Sequence, residues 1–232
     1  MSNVLKKALV LFVAAFVLTP VVGFAQTRGE LTARIERAQE YFEDIMEAPD
    51  TAIPQSIIEK CHGVIILRQY KAGFIFGVKG GVGIVLVKDR YTGQWTPPAF
   101  VKTGEGSFGL QIGGQSIDSI FLIMNKDGME MLNKTKFKIG LDASAAIGPV
   151  GRDAEAKVGP GTAILVYSRA KGLYAGASFE GGLLLNDNTA NRKFYDIKDI
   201  TVQNILFEDK VKMPNDVKPL VSLLEEYSNK TK

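Results

Sequence analysis

GFIFGVKGGVGIVLVK, Gly73 to Lys88, is the stretch on which the reading of the chain turns. At a strand's period of two, Phe74, Phe76, Val78, Val82, Ile84 and Leu86 fall on one face, and Ile75, Gly77, Lys79, Gly81, Gly83 and Val85 fall on the other. One face is bulky and the other nearly bare. Glycines inside a strand weaken it and mark a bend, a bulge or a neighbouring backbone at close range. The stretch therefore reads as a long, strongly curved strand or as a tight hairpin around Lys79-Gly80-Gly81, with the core packed on the phenylalanine face.

Downstream the strand signal continues. Tyr91 to Gln94 is a turn, and Trp95 to Phe100 carries Pro97 and Pro98, which exclude it from a central strand and leave an edge or a corner. Gly104 to Gly109 matches G-x-G-x-x-G, but that fingerprint needs a helix after it, and Leu110 to Gln115 alternates like a strand. A dinucleotide site is thereby excluded. Ile117 to Met124 reads as a strand, Asp127 to Asn133 as one or two helical turns, and Gly148 to Arg152 as a tight turn. Ala163 to Tyr167 and Gly172 to Leu185 read as a strand pair joined near Ser168 to Lys171.

Helices flank this region. Glu30 to Glu47 repeats Leu31, Ile35, Ala38, Phe42 and Ile45 at helical spacing, with Arg34 and Arg37 set among six acidic residues on its polar face. A membrane-surface helix would carry lysine and arginine there, so this one is expected to dock on the sheet. Ile53 to Ile58 is a short helix with proline in its first turn. Two helical patterns, Val202 to Leu206 and Val217 to Leu224, close the chain and are separated by Pro214. The fold class is α+β: one curved, largely antiparallel, barrel-like sheet in a single domain, residues 26–232, with helices 30–47 and 199–229 packed on it.

Residues 1–25 read differently. Lys6 and Lys7 precede an apolar run from Ala8 to Leu18, then come Pro20 and Gly23-Phe24-Ala25. A run of eleven falls short of the roughly 20 residues that a spanning helix needs, and the flanks are those of a cleavable secretory signal cut after Ala25. Its removal takes two lysines and no acid, so the formal charge of +3 becomes +1. A near-neutral chain offers no global attraction for nucleic acid, and an anionic partner must be met by a local patch. The single cysteine excludes an internal disulfide.

Catalytic and metal chemistry find little support. Cys61 and His62 are adjacent, so in extended chain they point to opposite faces, and no second cysteine or histidine exists to complete a dyad or a zinc site. They read as a buried thiol beside a hydrogen-bonded imidazole. Neither Ser107 nor Ser168 sits in a nucleophile elbow. No enzyme activity and no cofactor are expected. In Lys134-Thr135-Lys136-Phe137-Lys138-Ile139 the three lysines alternate along a strand and share one face, either as guards of an open sheet edge or as an anion-contact strip. Arg169 and Lys171, between the last two strands, are candidate neighbours.

Trp95 to Phe100, Gly109 to Gly114, Gly148-Pro149-Val150-Gly151-Arg152, Tyr167 to Gly176, Glu180-Gly181 and Phe194-Tyr195 resemble the successive blocks of the SYLF lipid-binding domain family. With the Gly73 to Gly83 block the likeness runs over about residues 52–197. The resemblance implies a compact, curved antiparallel β domain with helices around it. It also implies a relation to eukaryotic adaptors that bind phosphoinositides and actin, and to secreted bacterial proteins that bind phospholipid. An exported chain meets no actin, so actin is not the expected partner. The expected function is non-enzymatic binding of anionic phospholipid, or of a membrane surface, in the periplasm or envelope through Lys134, Lys136, Lys138, Arg169 and Lys171. The alternative is a structural envelope protein or an outer-membrane-associated β protein with no specific lipid. Export predicts an intact mass that begins at Gln26, and retention of Met1 in an inner-membrane fraction would exclude it.

Overall fold

Val64–Leu67, Ile84–Val87, Ile120–Ile123 and Ala163–Val166 are unbroken apolar quartets, and every one of these residues is buried. A strand covered on one face alternates; a strand covered on both reads as a continuous apolar run. The computed structural model describes residues 26–48, 52–73, 76–89, 91–108, 113–150, 158–170, 173–174 and 183–229. The expected signal, 1–25, lies outside them.

Nine strands are present among the described residues: β1 (Gly63–Gly73), β2 (Phe76–Val87), β3 (Ala99–Phe108), β4 (Gly113–Ile123), β5 (Lys136–Lys138), β6 (Ala145–Ile147), β7 (Ile164–Ala170), β8 (Leu173–Tyr174) and β9 (Leu183–Asn186). They form one curled half-barrel sheet in the order β5-β9-β3-β2-β1-β4-β7-β6, with β8 on β7. All pairs are antiparallel except β6 with β7. Val64 stands opposite Leu86 and Leu122, and Leu122 opposite Leu165, so all four quartets gather at one end of the sheet.

Among the described residues six α-helices cover that end: α1 (Arg28–Met46), α2 (Gln55–Lys60), α3 (Lys126–Met131), α4 (Asn188–Tyr195), α5 (Val202–Leu206) and α6 (Lys218–Asn229). On one face Val64, Ile66, Ile84, Leu86 and Phe100 pack against Leu31 and Phe42 of α1, Ile57 of α2, Phe194 of α4 and Leu224 of α6. On the other, Ile65, Leu67, Val85 and Phe121 pack against Met131 of α3, Ile205 of α5, Phe137 and Leu184. A capping box starts α1: Thr27 Oγ1 accepts from the Glu30 N–H, and the Glu30 carboxylate accepts from the Thr27 N–H.

The α+β class, the curved sheet and the flanking helices are as the sequence predicts, but four details differ. The β1–β2 reversal falls between Gly73 and Phe76, so Gly80 and Gly81 lie inside β2, and the hairpin expected at Lys79-Gly80-Gly81 is not formed. The core occupies both faces of β2, not the phenylalanine face alone, because its C-terminal half is an apolar quartet. Gly172 to Leu185 is not one strand: β8 pairs with β7, whereas β9 crosses to pair with β3 and β5. Arg34, placed by periodicity on the polar face of α1, is buried.

The glycines of β2 have a specific cause. A Cβ on Gly81 would stand 2.7 Å from the Arg68 carbonyl oxygen, and one on Gly83 would overlap the Ile66 carbonyl oxygen and the Leu67 side chain. Only hydrogen lets β1 and β2 approach this closely. Gly148 is needed for a different neighbour, since the ring of Tyr167 lies where its Cβ would be, and the Tyr167 hydroxyl donates to Pro149 O at 3.1 Å. Gly104 meets nothing within 4 Å. Gly83→Ala is therefore expected to cost about 1–3 kcal/mol by overpacking, a fall in Tm of roughly 2–12 °C for a domain of this size, while Gly104→Ala leaves Tm within a degree or two; thermal unfolding followed by circular dichroism reads both.

Candidate functional site

The residues picked from sequence are separated by the fold. β5 is three residues long and ends the sheet, with Lys136 exposed, Lys138 half-buried on the same face, and Phe137 turned into the core. Lys134 is not on the strand. It lies in the bend after α3, its Nζ 3.0 Å from Asp142 Oδ1, while the Lys138 N–H donates to Asp142 Oδ2 at 2.6 Å. Those two donors hold the Asp142 carboxyl below its ordinary range, the backbone N–H first and the ammonium second. The three-lysine face thus reduces to Lys136 and Lys138. Arg169 stands in β7, and five strands separate it from β5, because β9 crosses to the far side of β3 instead of pairing with β7. Lys171 lies outside the described residues.

The register builds a set that sequence reasoning missed. Lys136 stands opposite Leu185, Leu185 opposite Lys102, Lys102 opposite Val82, Val82 opposite Arg68, Arg68 opposite Asp118, and Asp118 opposite Arg169. Directly opposed residues share a face, so one lateral row carries cations on β5, β3 and β1. Strands are about 4.8 Å apart, so neighbouring cations along it recur at roughly 10 Å up to β1. The row marks the limit of helix cover: toward the quartets its face is buried, and beyond it Tyr70 is 54% exposed. The Tyr41 hydroxyl of α1 donates to Asp118 O at 2.8 Å at this boundary. A pattern of Arg and Lys at alternate positions within one strand would have been visible; one residue per strand was not.

Beneath the row lies a buried network. Arg34 Nη1 is 3.3 Å from Asp187 Oδ2, Lys102 Nζ is 3.8 Å from Asp187 Oδ1, and Asp187 also accepts from the Ala190 N–H as the N-cap of α4. Asn191 bonds both the N–H and the carbonyl of Phe100. This ties α1 and α4 to β3. Removing one partner of such a buried pair strands the other charge, at a cost of about 3–5 kcal/mol.

The family model Ysc84, described as Las17-binding protein actin regulator, matches residues 104–227, over half the chain. The chain belongs to this family, the SYLF family. Protein YSC84 of Saccharomyces cerevisiae is 30% identical over 181 residues, 76% of this chain and 38% of that protein. LAS seventeen-binding protein 3 of the same species is 30% identical over 181 residues, 76% and 39%. The SH3 domain-containing YSC84-like protein 1 of Mus musculus is 33% identical over 185 residues, 78% and 54%. The chain thus spans between about two fifths and just over half of these relatives. No solved structure matches. The family's description speaks of Las17 binding and actin regulation, and one relative is named as a binding protein, so the expectation against actin draws no support from them.

Cys61 and His62 part company in the SYLF fold. Cys61 is buried at the end of α2, as expected, where Lys88 Nζ donates to Ile58 O and Glu59 O at 2.9 and 3.0 Å; His62 is exposed. Burial pushes the thiol up to about 11 although the nearby Lys88 pulls it down. Only the thiolate alkylates. At pH 8 the native protein should therefore react with iodoacetamide at least about a hundredfold more slowly than the urea-unfolded chain, whose thiol titrates near 8.5, and the gap should narrow as pH approaches 11; intact-mass time courses measure it.

Proposed function

We propose that this SYLF protein is a non-enzymatic binder of anionic phospholipid, exported to the periplasm or envelope, and that it meets lipid through basic residues on the exposed face of its sheet. The observation that carries the reading is the alignment of Lys136 and Lys102 with Arg68 across strands far apart in sequence, on the face where helix cover stops. A basic residue near an anionic surface is worth about 1 kcal/mol. A few aligned cations can thus outweigh the near-neutral total. Among the described residues no helix is long and apolar enough to cross a membrane, which agrees with contact at a lipid surface but says nothing of the strands.

A second reading follows from the family's description: a Las17- or actin-linked binding role. Export separates the two, since a periplasmic chain and actin occupy different compartments. The expected result is that protein lacking residues 1–25 sediments with phosphatidylglycerol vesicles at low salt, much less with phosphatidylcholine vesicles, and less with the phosphatidylglycerol vesicles as salt shortens the Debye length from about 30 Å at 0.01 M to about 8 Å at 0.15 M. Co-pelleting with filamentous actin and indifference to vesicle charge would decide for the second reading.

A further inference from the structure

Between α1 and the sheet, at the centre of the lateral row, lies a cleft of about 40 Å³ lined by Arg34, Arg37, Tyr41, Arg68, Val82 and Asp118. Since one water needs roughly 10–15 Å³ of such space, the cleft admits a group of about three water-sized atoms, the exposed part of a phosphate. Three guanidinium groups face one carboxylate, so the lining keeps an excess of positive charge. Arg68 spends Nε and Nη2 on Asp118, at 2.6 Å each, and Arg34 spends Nη1 on buried Asp187. Arg37 is exposed and makes no ion pair among the described residues, and Lys102, next to Val82 in the row, is held only at 3.8 Å from Asp187 with its side chain 48% exposed. The surplus cations are therefore Arg37, in the lining of the cleft, and Lys102, opposite its lining residue Val82 on the neighbouring strand.

We propose that this cleft seats the phosphate of one anionic lipid, gripped by Arg37, Arg68 and Lys102, with Lys136 meeting the neighbouring headgroup. The proposal rests on the lipid-binding reading above and locates its site. Guanidinium groups match phosphate oxygens in paired N–H···O bonds, which a lysine strip on an edge strand does not supply. The occupant is a lipid and not a free phosphate because the same face is amphiphilic: Val82 lies between Lys102 and Arg68, half-buried Leu185 lies between Lys102 and Lys136, and Tyr70, two residues beyond Arg68 on that face, is 54% exposed. A tyrosine at the rim suits the boundary between headgroup and acyl chain.

The test uses protein lacking residues 1–25, with vesicles of phosphatidylglycerol in phosphatidylcholine at low salt. Each cation at an anionic surface is worth about fivefold in partitioning, so Arg37→Gln with Lys102→Gln should lower binding about 25-fold, and Arg37→Glu with Lys102→Glu should lower it further. Lys126→Glu with Lys134→Glu, which changes net charge as much as the Glu pair does but lies away from the cleft, should lower it less than about threefold. Circular dichroism melts check that every variant is folded, and the Gln pair serves if the Glu pair is not. Wild-type binding retained by the folded Gln pair overturns the cleft while leaving lipid binding intact. Equal loss in both Glu pairs shows that only net charge matters and overturns it as well. Failure of the wild type to bind phosphatidylglycerol vesicles sinks the lipid reading and the cleft with it. Binding of glycerol 3-phosphate by a wild type that ignores vesicles would assign the cleft to a soluble phosphate ester and overturn the lipid assignment.

Discussion

Val64 pairs with Leu86 on one side and Leu122 on the other, and this register runs through all eleven residues of β1. A slip of one residue would turn every side chain of β1 to the opposite face. Both faces at the quartet end are apolar, so that end alone would tolerate the slip. The other end would not. There Gly81 of β2 must lie against the Arg68 carbonyl, and Arg68 must lie beside Asp118. Register is thus pinned by steric and ionic requirements in the polar half and rewarded by burial in the apolar half.

The two ends of the sheet have different tasks. At the quartet end, helices on both faces remove the strands from water, which supplies most of the burial that stabilises the fold. At the glycine end the cover on the α1 face stops at the row from Lys136 to Arg68, and charged groups become affordable because water or an anion can solvate them. Arg34 stands between these regimes. It is buried, and Asp187 with the Asn191–Phe100 bonds makes that burial tolerable while fixing α1 and α4 on β3. The position of α1, and so the roof of the cleft, depends on that network.

Membership in the SYLF family and the row of cations bear on function from separate directions. The family speaks for a binding protein, and its descriptions name Las17 and actin. The row speaks for an anionic partner without naming one. The proposal of lipid binding joins the two.

Much of the architecture could be read from local pattern. The spacing of α1, the prolines before β3, and the strand after Gly104 in place of a helix all follow from residues close together in the chain, because φ restriction and side-chain period act over a few residues. The burial of Arg34 did not follow, since its partner Asp187 is 153 residues away. Nor did the loss of Lys134 to Asp142, which depends on how the bend after α3 closes. The cation row is the clearest case. Period two tells which face a residue takes within its own strand, but lateral neighbours are set by strand order, and here β9 crosses to β3 so that Lys136, Lys102 and Arg68 come into line. The amino-acid sequence by itself determined the fold class, most of the helices and the family; only the tertiary pairing of strands decided their order, which faces are covered and which charges stand together.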